Sequence, residues 1–262
     1  MMQTTRTAEG SDLRQEYMET LTAPLDGMWE TFIRFAAQWE IRRDGARIGY
    51  FCVNDEGRLL QFHVAAPFED QEAEAFAQAV RESDASGAMV STFEPWLSLC
   101  LDLHKQVRVH TFLYHDHHRS EISLDGFDGV RFEIVPEGER TAVEAFIRRC
   151  LADDPGDWLT GYVSNLVARR ELLALRTAET WLGTGELRVS DTQPPYADLG
   201  VIVSPEHRGR GLAPHILSRL KERCESSGLV PICSTTADNE AAQRAILKAG
   251  FVPRHRLLEV LF

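Results

Sequence analysis

The chain lacks any apolar run long enough to cross a bilayer, and its opening residues, Met1-Met2-Gln3-Thr4-Thr5-Arg6, form no apolar signal segment. Membrane insertion and secretion are therefore not expected, and a cytoplasmic setting is. Cysteine is sparse. Cys52, Cys100, Cys150, Cys224 and Cys233 are odd in number, widely spaced and without a C-x-x-C pair. That pattern excludes a disulfide framework and fits free thiols in a reducing compartment. Positive charge is also short: 28 Lys and Arg stand against 40 Asp and Glu, a formal charge of −12, so the basic footprint that nucleic acid needs is missing. What is present is an ordinary globular composition, 44% hydrophobic and 26% charged over 262 residues, enough for one large domain or two small ones.

Periodicity divides the chain into two similar halves. Apolar residues at helical spacing mark the stretch 11–35 (Leu13, Tyr17, Leu21, then Met28, Phe32, Phe35). Strand-like runs follow at 38–43, 47–53 and 59–65, separated by Asp44-Gly45 and Asp55-Glu56-Gly57, which are hairpin turns. Then come a helix over 69–81, a strand over 88–92, a helix over 94–103 and a strand over 107–114. The polar stretch 115–128 contains the best linker, taken as 121–128. Beyond it lie a strand at 129–135, helices at 139–151 and 156–169, and strands at 171–177, 186–190 and 196–203. A helix after Gly211, a strand at 230–234, a helix from Asn239 to Ala249 and a last strand from Phe251 complete the second half. Residues 1–120 and 129–262 thus read as two domains of one α/β architecture, repeated in element order without clear residue identity.

The chemistry concentrates in one turn. The apolar run Leu199-Gly200-Val201-Ile202-Val203 leads through Ser204-Pro205-Glu206-His207 to Arg208-Gly209-Arg210-Gly211-Leu212-Ala213, and then into an amphipathic segment from Pro214. A strand, a glycine turn and a helix start form a cradle for a diphosphate. Glycine lets backbone N–H groups approach an anion, and the helix N-terminus adds unpaired donors. Gly200 marks either a bulge in its strand or a place where a large neighbour packs. The matching turn of the first half, Ala65-Ala66-Pro67-Phe68-Glu69-Asp70-Gln71-Glu72, has no glycine and carries three acids, which repel a diphosphate.

The second half resembles the GNAT acyltransferase superfamily. Arg208, Gly211 and Ala213, after the strand that ends at Val203, match the family's cofactor motif of Arg or Gln, then Gly three residues on, then Gly or Ala two further. Asn239 with Ala242, followed by Lys248-Ala249-Gly250-Phe251, matches its C-terminal pattern. The resemblance implies an acyl-CoA N-acyltransferase fold, an α+β mixed sheet in each half, with a degenerate first half. It implies that acetyl-CoA is the co-substrate. The pyrophosphate would lie on the backbone from Gly209 to Ala213 with Arg208 and Arg210 beside it. Pantetheine would run along Val201, Ile202 and Val203 as an added strand, and Asn239 would touch the cofactor. As a plain helix N-cap, Asn239 has a second role to fill.

Acetyl transfer to an amine needs a proton acceptor, an oxyanion donor and a proton for the leaving thiolate. The backbone N–H of Val201 or Ile202 suits the oxyanion, and Asp198 is the candidate base, with an ion-paired aspartate as the other reading. The family's usual tyrosine acid is replaced by Ile246, which leaves Ser234, Thr235 or water to serve. Trp158 and Tyr162, four apart on a helix, line the acceptor site or pack the core. His110 and His115-Asp116-His117-His118 hold metal-ligand residue types, but adjacent side chains seldom converge on one ion, so no metal is expected. The expected activity is direct transfer of acetyl to a primary amine of a small molecule. A non-catalytic acyl-CoA-binding scaffold and a protein N-acetyltransferase remain as alternatives.

Overall fold

The computed structural model describes residues 2–7, 12–120, 122, 129–151 and 154–262. Apart from Ile122, the expected linker 121–128 lies outside the described residues. The chain divides into two compact units, Met1–Leu113 with Arg254–Phe262, and Tyr114–Pro253. Each unit is an α/β fold on a mixed sheet, as the sequence implies.

In the first unit, β1 (Met2–Thr7) precedes helices α1 (Leu13–Thr20) and α2 (Gly27–Phe35). Strands β2 (Ala37–Arg43), β3 (Ala46–Val53) and β4 (Arg58–Val64) then form an antiparallel meander. A short 3-10 turn leads to α3 (Glu72–Glu82), β5 (Gly87–Ser91), α4 (Leu97–Leu103) and β6 (Gln106–His117). The stretch of helical spacing over 11–35 forms two helices, and Asp26 starts the second by accepting a bond from Trp29 N–H at 2.9 Å. Strand β1 has no counterpart in the sequence reading. It is a polar edge strand paired with β2 on one side, so it shows no apolar alternation.

The second unit repeats this order element for element. It runs β7 (Arg131–Ile134), α5 (Arg140–Cys150), α6 (Trp158–Ala168), β8 (Leu172–Arg176), β9 (Trp181–Val189), β10 (Tyr196–Val203), α7 (Leu212–Ser226), β11 (Val230–Thr236), α8 (Glu240–Lys248) and β12 (Phe251–Leu261). The end of β12 belongs to the first unit, where Leu257–Leu261 pairs antiparallel with β5. The sequence places this strand in the second half. Nothing local in a strand's pattern names its partner, so the pairing is visible only in three dimensions.

Strand β9 is longer than the sequence suggests, because Gly183 and Gly185 read there as loop residues. Both are demanded by packing. A Cβ on Gly185 would lie 2.7 Å from Ile216 and 3.0 Å from Leu220, and one on Gly183 would lie 2.9 Å from Ile216. Helix α7 therefore sits directly on this strand, and Gly183 and Gly185 define its face of the sheet. The opposite face is covered by α5 and α6, where Val143, Phe146, Leu159, Val163 and Leu172 form a core that Ile202 joins.

In both units the one parallel step in the meander is short. β10 pairs with β11 only at Tyr196, Ala197 and Asp198, and β4 pairs with β5 only at Arg58 and Leu59. Beyond those residues the strands part and leave a wedge, and the two units treat it differently. In the first unit Trp96 fills it. The Trp96 indole donates to Glu94 at 3.2 Å and to the Tyr17 hydroxyl at 3.4 Å, on the face where Tyr17 packs on Tyr50 and His63. It also lies 6.3 Å from Phe76, which packs on Phe62 on the other face. One side chain reaches both faces only where β4 and β5 separate.

Candidate functional site

In the second unit the same divergence runs along β10. Its register against β9 is unbroken from Ala197 to Val203, so Gly200 is not a bulge against that strand. On the β11 side, the edge from Leu199 to Val203 has no strand partner among the described residues, since pairing stops at Asp198 opposite Ile232. Val201, Ile202 and Val203, the residues expected to meet pantetheine, lie on this edge. Ser234 lies on the diverging part of β11, two residues past the last pair.

The glycine turn follows directly. Gly209 and Gly211 have φ of +75° and +82°, and no atom lies within 4 Å of where a Cβ would stand on either. Conformation requires glycine there, and the space beside it is open. Among the described residues the backbone N–H groups of Gly209, Gly211, Leu212 and Ala213 donate no hydrogen bond. They are the free donors of a helix N-terminus, aimed where an anion gains most. Pro214 has no N–H to add. Arg208 braces the turn, with Nε on the Val203 carbonyl at 3.3 Å and Nη2 on the Cys150 carbonyl at 2.8 Å. Arg210 is exposed. Asn239 caps α8, accepting from Ala242 N–H at 3.1 Å, which leaves its amide nitrogen for another partner.

Four polar side chains gather on the α5–α6 face at the mouth of the wedge. Asp198 is 5% exposed, and its Oδ2 accepts from Arg188 Nη2 at 2.8 Å. The two residues are direct cross-strand partners. Arg188 Nη1 donates to the Tyr162 hydroxyl at 2.9 Å, and that hydroxyl donates to Glu186 Oε2 at 2.5 Å. Burial, with the Glu186 charge, holds the Tyr162 phenol far above its ordinary value, so it remains a donor. Glu186 faces Gly200 across the ladder. A Cβ on Gly200 would stand 3.0 Å from Glu186 Oε2, so the large neighbour at this glycine is a carboxylate. Trp158 lies edge-on to Tyr162 at 5.5 Å and is 56% exposed.

Glu186 and Arg188 lie on the strand read at 186–190, but nothing local marks them as site residues, because Tyr162 and Asp198 reach them only in the folded protein. Ile246 is buried in α8 and offers no proton. Among the described residues no three His, Cys, Asp or Glu side chains gather as a metal set. His117 instead meets Glu225 at 3.3 Å. No helix is long and apolar enough to cross a membrane.

Comparison with known proteins agrees with this geometry. The family described as "Acetyltransferase (GNAT) domain" matches residues 6–117, and "Acetyltransferase (GNAT) family" matches 140–251. No curated protein matches the chain. Among solved structures, a GNAT-family acetyltransferase from Colwellia psychrerythraea is 33% identical over 99% of both chains, with a TM-score of 0.89. A tandem GNAT protein from the clavulanic acid biosynthesis pathway is 15% identical, covers 99% of this chain and 98% of its own, and has a TM-score of 0.58. A GCN5-related N-acetyltransferase from Sphaerobacter thermophilus is 15% identical over 85% and 79%, at 0.58. These last two share the fold. The donor in GNAT acetyltransferases is acetyl-CoA, and the open β10 edge with the free donors of the glycine turn fits it. The chain belongs to the GNAT acetyltransferase family, with two domains of that family in tandem.

Proposed function

We propose that the second unit transfers acetyl from acetyl-CoA to a primary amine of a small molecule, by direct attack of the amine on the thioester. The observation that carries this is continuity. An unpaired strand edge from Leu199 to Val203 runs into four free backbone donors between Gly209 and Ala213, all on one stretch of chain. A peptide-like arm adds to the first and a pyrophosphate to the second. When bound, acetyl-CoA supplies an activated acyl carbon, and the edge N–H of Val201 or Ile202 receives the developing oxyanion. Arg208 holds the turn in shape, Arg210 adds charge, and Asn239 offers its amide.

Asp198 and Ser234 stand on the two sides of the wedge apex. Asp198 is engaged by Arg188, and its first task is to fix that guanidinium. Ser234 is the candidate to hydrogen-bond the departing sulfur. The direct route suits the cysteines, which form no disulfide and are buried. Burial pushes the Cys224 thiol on α7 up to about 12, so it is not a thiolate at neutral pH. Free thiols also support a cytoplasmic setting.

The test is calorimetry with acetyl-CoA. Gly211→Glu, which puts a carboxylate in the open space of the cradle, is expected to abolish binding while the far-ultraviolet dichroism stays native. Unchanged affinity would falsify the phosphate assignment.

A further inference from the structure

One carboxylate beside the unpaired part of β10 is not among the residues the sequence singles out. Glu186 projects from β9 to the α5–α6 face and leans over β10 at Gly200, the second residue beyond the last β10–β11 pair. It occupies space that any side chain at position 200 would take. Its surroundings hold one oxygen and spare the other. Oε2 accepts from Tyr162 at 2.5 Å and lies 3.7 Å from Arg188 Nη1, while Oε1 has no hydrogen-bond partner among the described residues. Arg188 is closer to Asp198, at 2.8 Å, so its charge is committed there first.

We infer that Glu186 takes the proton from the acceptor's ammonium group, with Tyr162 and Arg188 as positioning residues. This rests on the acetyltransferase reading above and names the residue that receives a cationic primary amine. One proton passes from the R–NH3+ group to Glu186 Oε1. The freed nitrogen lone pair forms the C–N bond at the thioester carbonyl carbon, and the C–S bond breaks with its electrons going to sulfur. A second proton leaves the nitrogen for that sulfur, so amide, thiol and one proton on Glu186 balance the step. The route needs no separate acid, which accommodates the buried Ile246. Among the described residues, the titratable or charged groups at the Glu186 carboxylate are Tyr162 on α6 and Arg188 on β9, with Asp198 on β10 paired to Arg188. Leu172 on β8 and Gly200 on β10 are its uncharged cross-strand neighbours.

The experiment follows thiol release from acetyl-CoA against pH with a diamine, an amino sugar and an α-amino acid, with acetyl-CoA affinity measured in parallel. Glu186→Gln is expected to lower kcat by about 100-fold or more and to erase the acid limb of kcat/KM. Its acetyl-CoA affinity is expected to stay within about twofold of the wild type. Tyr162→Phe is expected to keep most of kcat and move the acid limb to higher pH, since a carboxylate that loses a donor is easier to protonate. Glu186→Asp should recover part of the rate. If Glu186→Gln keeps both its rate and its acid limb, this assignment falls and the acetyltransferase reading stands. If the wild type releases no thiol with any of the amines, that reading falls and takes this one with it. Should Glu186→Gln fold poorly, Tyr162→Phe decides, and an unmoved acid limb overturns the inference.

Discussion

Arg188 Nη2 stands 2.8 Å from Asp198 Oδ2 across one rung of the β9–β10 ladder, with both side chains largely buried. Removing the cation alone would take the ion pair from a buried carboxylate. Arg188→Met is expected to cost about 3–5 kcal/mol, and pairing it with Asp198→Leu should restore most of that loss. Urea midpoints of the two single variants and the double variant measure it. Equal losses that simply add would show that the pair is not coupled.

Gly185 lets α7 lie against β9, and α7 carries the donors of the glycine turn at its start. Gly185→Val would drive a side chain into Ile216 and Leu220. The expected loss is about 1–3 kcal/mol in stability, with weaker acetyl-CoA binding because the helix start is displaced. Thermal melts and calorimetry on the same variant read both. Full affinity in a destabilised protein would separate helix seating from the cradle.

Trp96 lies in the first unit at the divergence of β4 and β5, the counterpart of the divergence of β10 and β11 in the second. Trp96→Ala is expected to cost about 3–5 kcal/mol, as for other large core truncations. It should not create a second coenzyme site, because the neighbouring turn holds Glu69, Asp70 and Glu72 and no glycine. Titration should give one acetyl-CoA per chain in both proteins, and a second equivalent in the variant would refute this account.

His63 is buried between Tyr17 and Tyr50, and burial holds its imidazole below the usual range while Glu16 and Glu69 pull the other way. As pH falls, the unfolded ring takes up its proton first. Stability is therefore full above the ordinary histidine value of about 6.5 and declines as pH drops through the lower folded value. Comparing urea midpoints at about pH 7.5 and about pH 5.5 should show this decline in the wild type and a smaller one in His63→Gln. An identical slope in both would assign the effect to other groups.

Much of the fold is legible along the chain. The meander 38–65 announces itself through alternation and turn residues, and β10 is bounded as read, at Tyr196 and Val203. The elements that escaped did so for identifiable reasons. β1 is polar on both faces at a sheet edge. The first half of β9 is disguised by Gly183 and Gly185, whose role appears only when Ile216 and Leu220 arrive from α7.

The site divides the same way. The turn from Arg208 to Ala213 is a local object. Its two left-handed glycines, its helix start and the strand before it are neighbours in sequence, so backbone geometry alone writes the cradle into consecutive residues. Three features are not local. They are the end of β10–β11 pairing at Asp198, the Glu186 carboxylate lying over Gly200, and the Trp96 indole in the first unit's gap. Each depends on segments separated by some ten to eighty residues meeting in one register, which periodicity does not encode. By itself the sequence determined the glycine turn that is proposed to hold a diphosphate. The tertiary structure decided which strand edge lies open and which carboxylate stands beside it, because pairing and side-chain convergence exist only once distant strands have met.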